Sequence, residues 1–156
     1  MKCILSCPVC KRKLISVLLG LGFGFLCAHL AHQSPELAAI ENYWTSASAW
    51  VIIYNRVLIG FFVFTAGAFT VHPIFKFRIH PILRGAACGA LVSLINAIGV
   101  LTMPEMENLT QIFWGTIITG AIYGAIIDLV ATRFGGEGKV LLEPCVCEKK
   151  EQVDPV

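Results

Sequence analysis

The sequence predicts an all-α polytopic membrane protein, a four-transmembrane-helix bundle with both termini on the cytoplasmic side. Three observations predict it. Only 14% of the 156 residues are charged and 56% are hydrophobic, against roughly 25% charged in an average soluble domain. The apolar residues lie in blocks of about 20, the length a helix needs to cross a hydrocarbon core of about 30 Å. The Lys and Arg residues gather on one side of those blocks, as the positive-inside rule requires.

Four blocks qualify as spans: 14–31, 49–71, 83–103 and 111–132. Each is rich in Leu, Ile, Phe and Val, with frequent Gly. In lipid a helix satisfies its own backbone, which an isolated strand cannot do. Residues 1–13 then form an N-terminal tail containing CPVC, and 133–156 a C-terminal tail. The first block could be read as a signal peptide with Lys11, Arg12 and Lys13 as its basic region. It is long for one, and CAHLAH lacks a small-x-small cleavage pattern, so a retained span is expected.

Orientation rests on Lys2, Lys11, Arg12 and Lys13 before the first span, and Lys76, Arg78 and Arg84 between the second and third. Arg133, Lys139, Lys149 and Lys150 follow the fourth. The two other loops carry Glu36, Glu41, Glu105 and Glu107 and no basic residue. Lys11, Arg12 and Lys13 read as the cytoplasmic anchor of the first span. Tyr43, Trp44, Trp50 and Trp114 map to the outer interface, where amphipathic rings sit. SPELAAIENYW fits a short surface helix or an irregular loop. The inner loop VHPIFKFRIHPILRG alternates basic and aromatic residues between two His-Pro breaks, and suits a segment lying against anionic headgroups.

Small residues recur every four positions: Gly20, Gly24, Ala28; Gly85, Gly89, Ser93, Ala97; Thr116, Gly120, Gly124, Asp128. That spacing puts each set on one helix face. Lipid tails are as apolar as Leu, so helices associate there through close packing of such faces. A compact bundle is expected, with the stripes packing either within one chain or between chains.

Ionisable groups inside spans are where function is sought first. Arg56 lies about 10 Å deep if its span starts near Ala49, and is either buried with a partner or reaching the outer headgroups. Asp128 ends the last stripe and should face other helices, with Arg84 or Arg133 as its partner. Asn96 shares a face with Gly89 and should make an interhelical hydrogen bond. Arg56, Asn96 and Asp128 are thus candidates for a transport path.

The four His fall on opposite sides and make no four-His site. Two of them, His29 and His32, are one turn apart but too few for a metal without other ligands. No GxSxG, HExxH or P-loop pattern occurs, so no enzyme is expected. GGEGK reads as a flexible exit from the fourth span. Asn108-Leu-Thr110 fits a glycosylation sequon but lies nearly against that span. Cys27 and Cys88 should pack as small apolar groups. Cys7 and Cys10, with Cys145 and Cys147, could form a tetrahedral Zn²⁺ site if the two tails meet. In cytoplasmic tails stable disulfides are disfavoured. Otherwise no cofactor is expected.

The expected function is a structural or assembly component of a cell inner or plasma membrane. Its partners would be the lipid bilayer and a homo-oligomer or membrane complex. A net charge of +2 gives no reason to invoke nucleic acid. The alternative is a small transporter or channel subunit with a polar path through the bundle.

Overall fold

The computed structural model describes residues 7–71, 76–101 and 108–142, apart from the side chains of residues 35, 36 and 139. Four helices in it are long and apolar enough to cross a membrane: α1, Pro8–Ala31; α2, Ala47–Ala66; α3, Pro81–Val100; and α4, Leu109–Gly135. No β-strand occurs among the described residues beyond an isolated Val71–Arg78 bridge in the α2–α3 loop.

Local chemistry sets the helix ends. α1 and α3 both start on proline, whose fixed φ suits the first helical position and whose missing N–H would be unpaired there anyway. His80 caps α3 through Nδ1, which accepts the Ile82 N–H at 3.3 Å. Ser46 caps α2 by accepting the Ala49 N–H at 3.4 Å. Asn108 precedes α4 with φ 63°, a left-handed conformation that Asn tolerates better than most residues. Between α1 and α2 lie a helical turn, Pro35–Ala38, and a 3₁₀ turn, Tyr43–Thr45. The Tyr43 hydroxyl donates to the Ala28 carbonyl at 2.9 Å, and its ring stacks on His32 at 4.5 Å. These bonds tie the loop to the end of α1.

Successive helices run antiparallel. One end of the bundle holds the start of α1, the end of α2, the start of α3 and the end of α4. The Lys and Arg residues with described side chains, other than Arg56, all lie there: Lys11, Arg12, Lys13, Lys76, Arg78, Arg84 and Arg133. Tyr43, Trp44, Trp50 and Trp114 lie at the opposite end.

The small-residue stripes pack inside the chain, as two seams. On the α1–α2 seam a Cβ on Gly20 would stand 2.6 Å from the Arg56 carbonyl, and one on Gly24 3.0 Å from that of Ile53. Gly60 faces the Ser16 carbonyl. On the α3–α4 seam Gly85 and Gly89 press on the carbonyls of Gly124 and Gly120, and Gly124 presses on Gly85 in return. Only glycine allows backbones this close. The apolar core between the pairs is small, built from Ile59, Val63, Val92 and Ile127. Large apolar side chains point outward instead, with Phe69, Leu91 and Ile95 at 69%, 66% and 73% exposure. Polar groups lie inside and hydrocarbon outside, the reverse of a soluble domain.

The helix ends depart from the expected spans; α2 stops at Ala66 rather than 71, and the largest shift is at the start of α1. α1 begins at Pro8, six residues before Leu14, so the Lys11–Lys13 triplet lies within the helix. Lys13 is exposed, but Arg12 is 0% exposed. Arg12 is therefore not a headgroup anchor, because its side chain turns into the bundle.

Candidate functional site: two buried arginine layers

The first layer closes the basic end. Arg12, Ser16, Gly20, Gly24 and Ala28 are all buried at a spacing of four, so Arg12 extends the α1 stripe by two turns. Its guanidinium donates to Asp128 Oδ1, to the Thr132 hydroxyl at 3.0 Å, to the Gly136 carbonyl at 2.6 Å and to the Val63 carbonyl at 3.3 Å. Gly67 and Gly135 make room for it: a Cβ on Gly67 would meet the guanidinium, and one on Gly135 would lie 2.6 Å from Arg12 Cβ. Arg84 approaches Asp128 from α3. Its Nε donates to Oδ2 at 2.7 Å and its Nη2 to Oδ1 at 3.0 Å. That fork matches the carboxylate plane and is the stronger kind of charged hydrogen bond. Arg84 Nη1 also donates to the Phe69 carbonyl at 3.2 Å. Three helices thus meet on one aspartate, and α2 joins them through the Val63 carbonyl on Arg12.

Glu137 carries the network outward. It pairs with Arg84 at 3.3 Å and with Arg78 at 2.6 Å, whose own side chain is 79% exposed. Burial pushes the Glu137 carboxyl up, but hydrogen bonds and charge from Arg78 and Arg84 outweigh it and hold the group below its ordinary value. The alternating series Arg78–Glu137–Arg84–Asp128–Arg12 therefore runs from solvent to the fully buried interior.

The second layer lies deeper. Arg56 precedes Val63 by seven residues, about 10 Å along α2. It is 6% exposed. Its Nη1 donates to Asn55 Oδ1 at 3.1 Å and to the Ser93 hydroxyl at 3.0 Å. The guanidinium carbon lies 5.2 Å from the centre of the Tyr123 ring, within cation–π range. Phe23 also stacks on that ring, with centroids 4.6 Å apart. Nε is buried without a hydrogen-bond partner. Neutral groups surround this cation: Asn55, Ser93, Tyr123 and Cys27, whose thiol donates to the Tyr123 hydroxyl at 3.8 Å. Among the described residues no carboxylate pairs with it.

The three path candidates therefore take different positions. Arg56 is buried inside the bundle and does not reach its surface. Asp128 pairs with Arg84, and also with Arg12, while Arg133 is exposed. Asn96 is half-buried and lines a groove of about 510 Å³ between α2 and α3. Asn55, Tyr54, Cys88 and Ile95 also line that groove. Asn55 connects the two regions, since its Nδ2 donates to the Val92 carbonyl at 3.3 Å while its Oδ1 holds Arg56.

Of the four cysteines considered for zinc, Cys145 and Cys147 lie outside the described residues. Cys7 is disulfide-bonded, which departs from the expectation of a reduced tail, and Cys10 keeps a free thiol. A sulfur held in a disulfide is not a thiolate ligand, so zinc would require the reduced form. No group of three or more metal-ligating side chains occurs among the described residues. Cys27 and Cys88 carry free thiols within the bundle.

Sequence reasoning missed Arg12 and Glu137. Arg12 was legible in principle, because stepping back by four from Gly20 through Ser16 reaches it. Glu137 carried no such signal. It follows the last span in a glycine-rich segment, and only the turn of the chain at Gly136, φ 79°, brings it back over Arg84.

The fold and its buried ion network define an all-helical bundle with four helices suited to a membrane. Comparison with protein-family models, curated proteins and solved structures finds no match.

Proposed function

We propose that the chain is an integral membrane protein of a cell inner or plasma membrane, with both termini cytoplasmic, and acts as a non-enzymatic assembly component. One observation carries the assembly role. Asn96 lies half-buried in the α2–α3 groove, among mostly exposed apolar side chains such as Leu58, Phe62, Leu91 and Ile95. Among the described residues no hydrogen bond satisfies its amide. An amide facing hydrocarbon costs free energy until a partner is found, and a polar group on a neighbouring helix is the usual one. The Gly stripes no longer argue for assembly, because they are consumed within the chain. The groove takes over that role. A photocrosslinker at Ile95 should capture a partner subunit or a second copy in native membranes, and Asn96→Leu should abolish capture. Strictly monomeric protein in mild detergent, with no crosslink at position 95, would refute the role.

Orientation has its own test. Lys13→Cys and Arg133→Cys should be labelled by a membrane-impermeant thiol reagent only from the cytoplasmic side, and Trp44→Cys only from the other. A second reading, a small transporter or channel, is favoured by Arg56, a cation at mid-height of the bundle. Flux through reconstituted vesicles that survives both Arg56→Leu and Asp128→Asn would remove it.

A further inference from the structure

We infer that the Arg56 layer is a binding site for a small monovalent anion of halide size. The two arginine layers differ in one respect. At the basic end each buried guanidinium shares Asp128, and Glu137 adds a second carboxylate. At Arg56 every described partner is neutral: Asn55 Oδ1, Ser93 Oγ and the face of Tyr123. Among the described residues the acids are Glu41, Asp128 and Glu137, beside Glu36, whose side chain is not described. Glu41 lies in the α1–α2 loop. Asp128 is a helical stretch away and already holds two guanidiniums.

An arginine cannot relieve this by losing its proton. Removing its charge from water is costly. The aromatic face returns only part of that cost. Among the described residues no carboxylate supplies the compensating charge, and a bound anion would. One uncompensated positive charge calls for one negative charge. The donors at hand are of the kind that bind a spherical anion. Arg56 Nε–H is buried and unpartnered. The Tyr123 hydroxyl accepts from Cys27 and keeps its own proton to give. The surroundings supply no second cation, so a divalent anion would be left undercompensated. The nearest opening is the α2–α3 groove, lined by Asn55, whose Oδ1 holds Arg56.

The inference shares its site with the transport reading but stands apart from it, since a bound anion can be a structural counter-ion. The test uses the full chain in phosphatidylcholine nanodiscs. Thermal midpoints are measured in sodium bromide, chloride or gluconate at constant ionic strength. Halide should raise the midpoint over gluconate, saturably. Arg56→Lys should retain the dependence, and Arg56→Gln should lose it. Crystals grown in bromide should show anomalous density beside the Arg56 guanidinium. Halide-independent midpoints in the wild-type protein, with no bromide at Arg56, would overturn the site, whether or not Arg56→Gln folds. Bromide bound there without halide flux in vesicles would keep the site and remove the transport reading.

Discussion

Asp128 takes hydrogen bonds from two guanidiniums and from the Thr132 hydroxyl, all within the buried end of the bundle. Removing one partner of a buried pair is costlier than the pair is worth, because the other charge remains without compensation. Asp128→Asn strands two arginines, so it should cost about 3–5 kcal/mol in unfolding titrations. Arg84→Lys should also destabilise, since an ammonium cannot reproduce the fork. Arg12→Ala should destabilise the fold while Lys13→Ala leaves it unchanged, although the two stand side by side in a basic triplet. Glu137 adds a pH dependence whose sign follows from its depressed native pKa. Its contribution is fully present above the unfolded value of about 4.3. It is lost as pH falls through the lower native value. The stability difference between wild type and Glu137→Gln should therefore be flat near neutrality and shrink below about pH 4.3. A difference that grows with acidification would contradict the pairing. None of these partners was assignable from sequence beyond Arg84 for Asp128, because depth alone does not say which way a long side chain turns.

The seams between helices explain both what was legible in the sequence and what was not. Stripes of small residues at a spacing of four marked the packed faces of α1, α3 and α4 correctly. The pairing of α1 with α2, and of α3 with α4, depends on the shape of both faces and had no sequence signature. Asn96 shows a subtler effect. At about 100° per residue, a step of four advances about 40° round the helix. The α3 seam follows that advance through Gly85, Gly89, Ser93 and Ala97, all buried. Asn96 sits at almost the angle of Gly89, but at its height the seam has moved round to Ala97, which leaves Asn96 to the groove. A stripe inclined to the axis is the geometry of ridges packed at a crossing angle. Gly89→Ala would press a methyl group into the Gly120 carbonyl and should lower the unfolding midpoint. Gly22→Ala and Gly115→Ala meet nothing within 4 Å and should be tolerated. Equal effects at all three positions would mean that the seam is not where the chain is held.

As a whole molecule, the bundle is two tight helix pairs joined by a thin apolar core and two polar layers. Four apolar spans and the gathering of basic residues at one end could be read from composition and order alone. The layers could not, because they arise where residues far apart in sequence meet. Arg12 and Asp128 are separated by 116 positions. That separation matters while the chain is being made. Of the four helices α1 is made before α4, and it carries an arginine whose carboxylate sits on α4. Until α4 is made, Arg12 and Arg84 lack the buried carboxylate they share in the folded bundle, and the earlier helices stay an incomplete assembly. A chain stopped after residue 108 should be cleared quickly by membrane proteases, and Arg12→Leu should lengthen its lifetime in a pulse-chase. The buried aspartate thus doubles as a completion signal, a charge whose arrival distinguishes a closed four-helix bundle from a partial one.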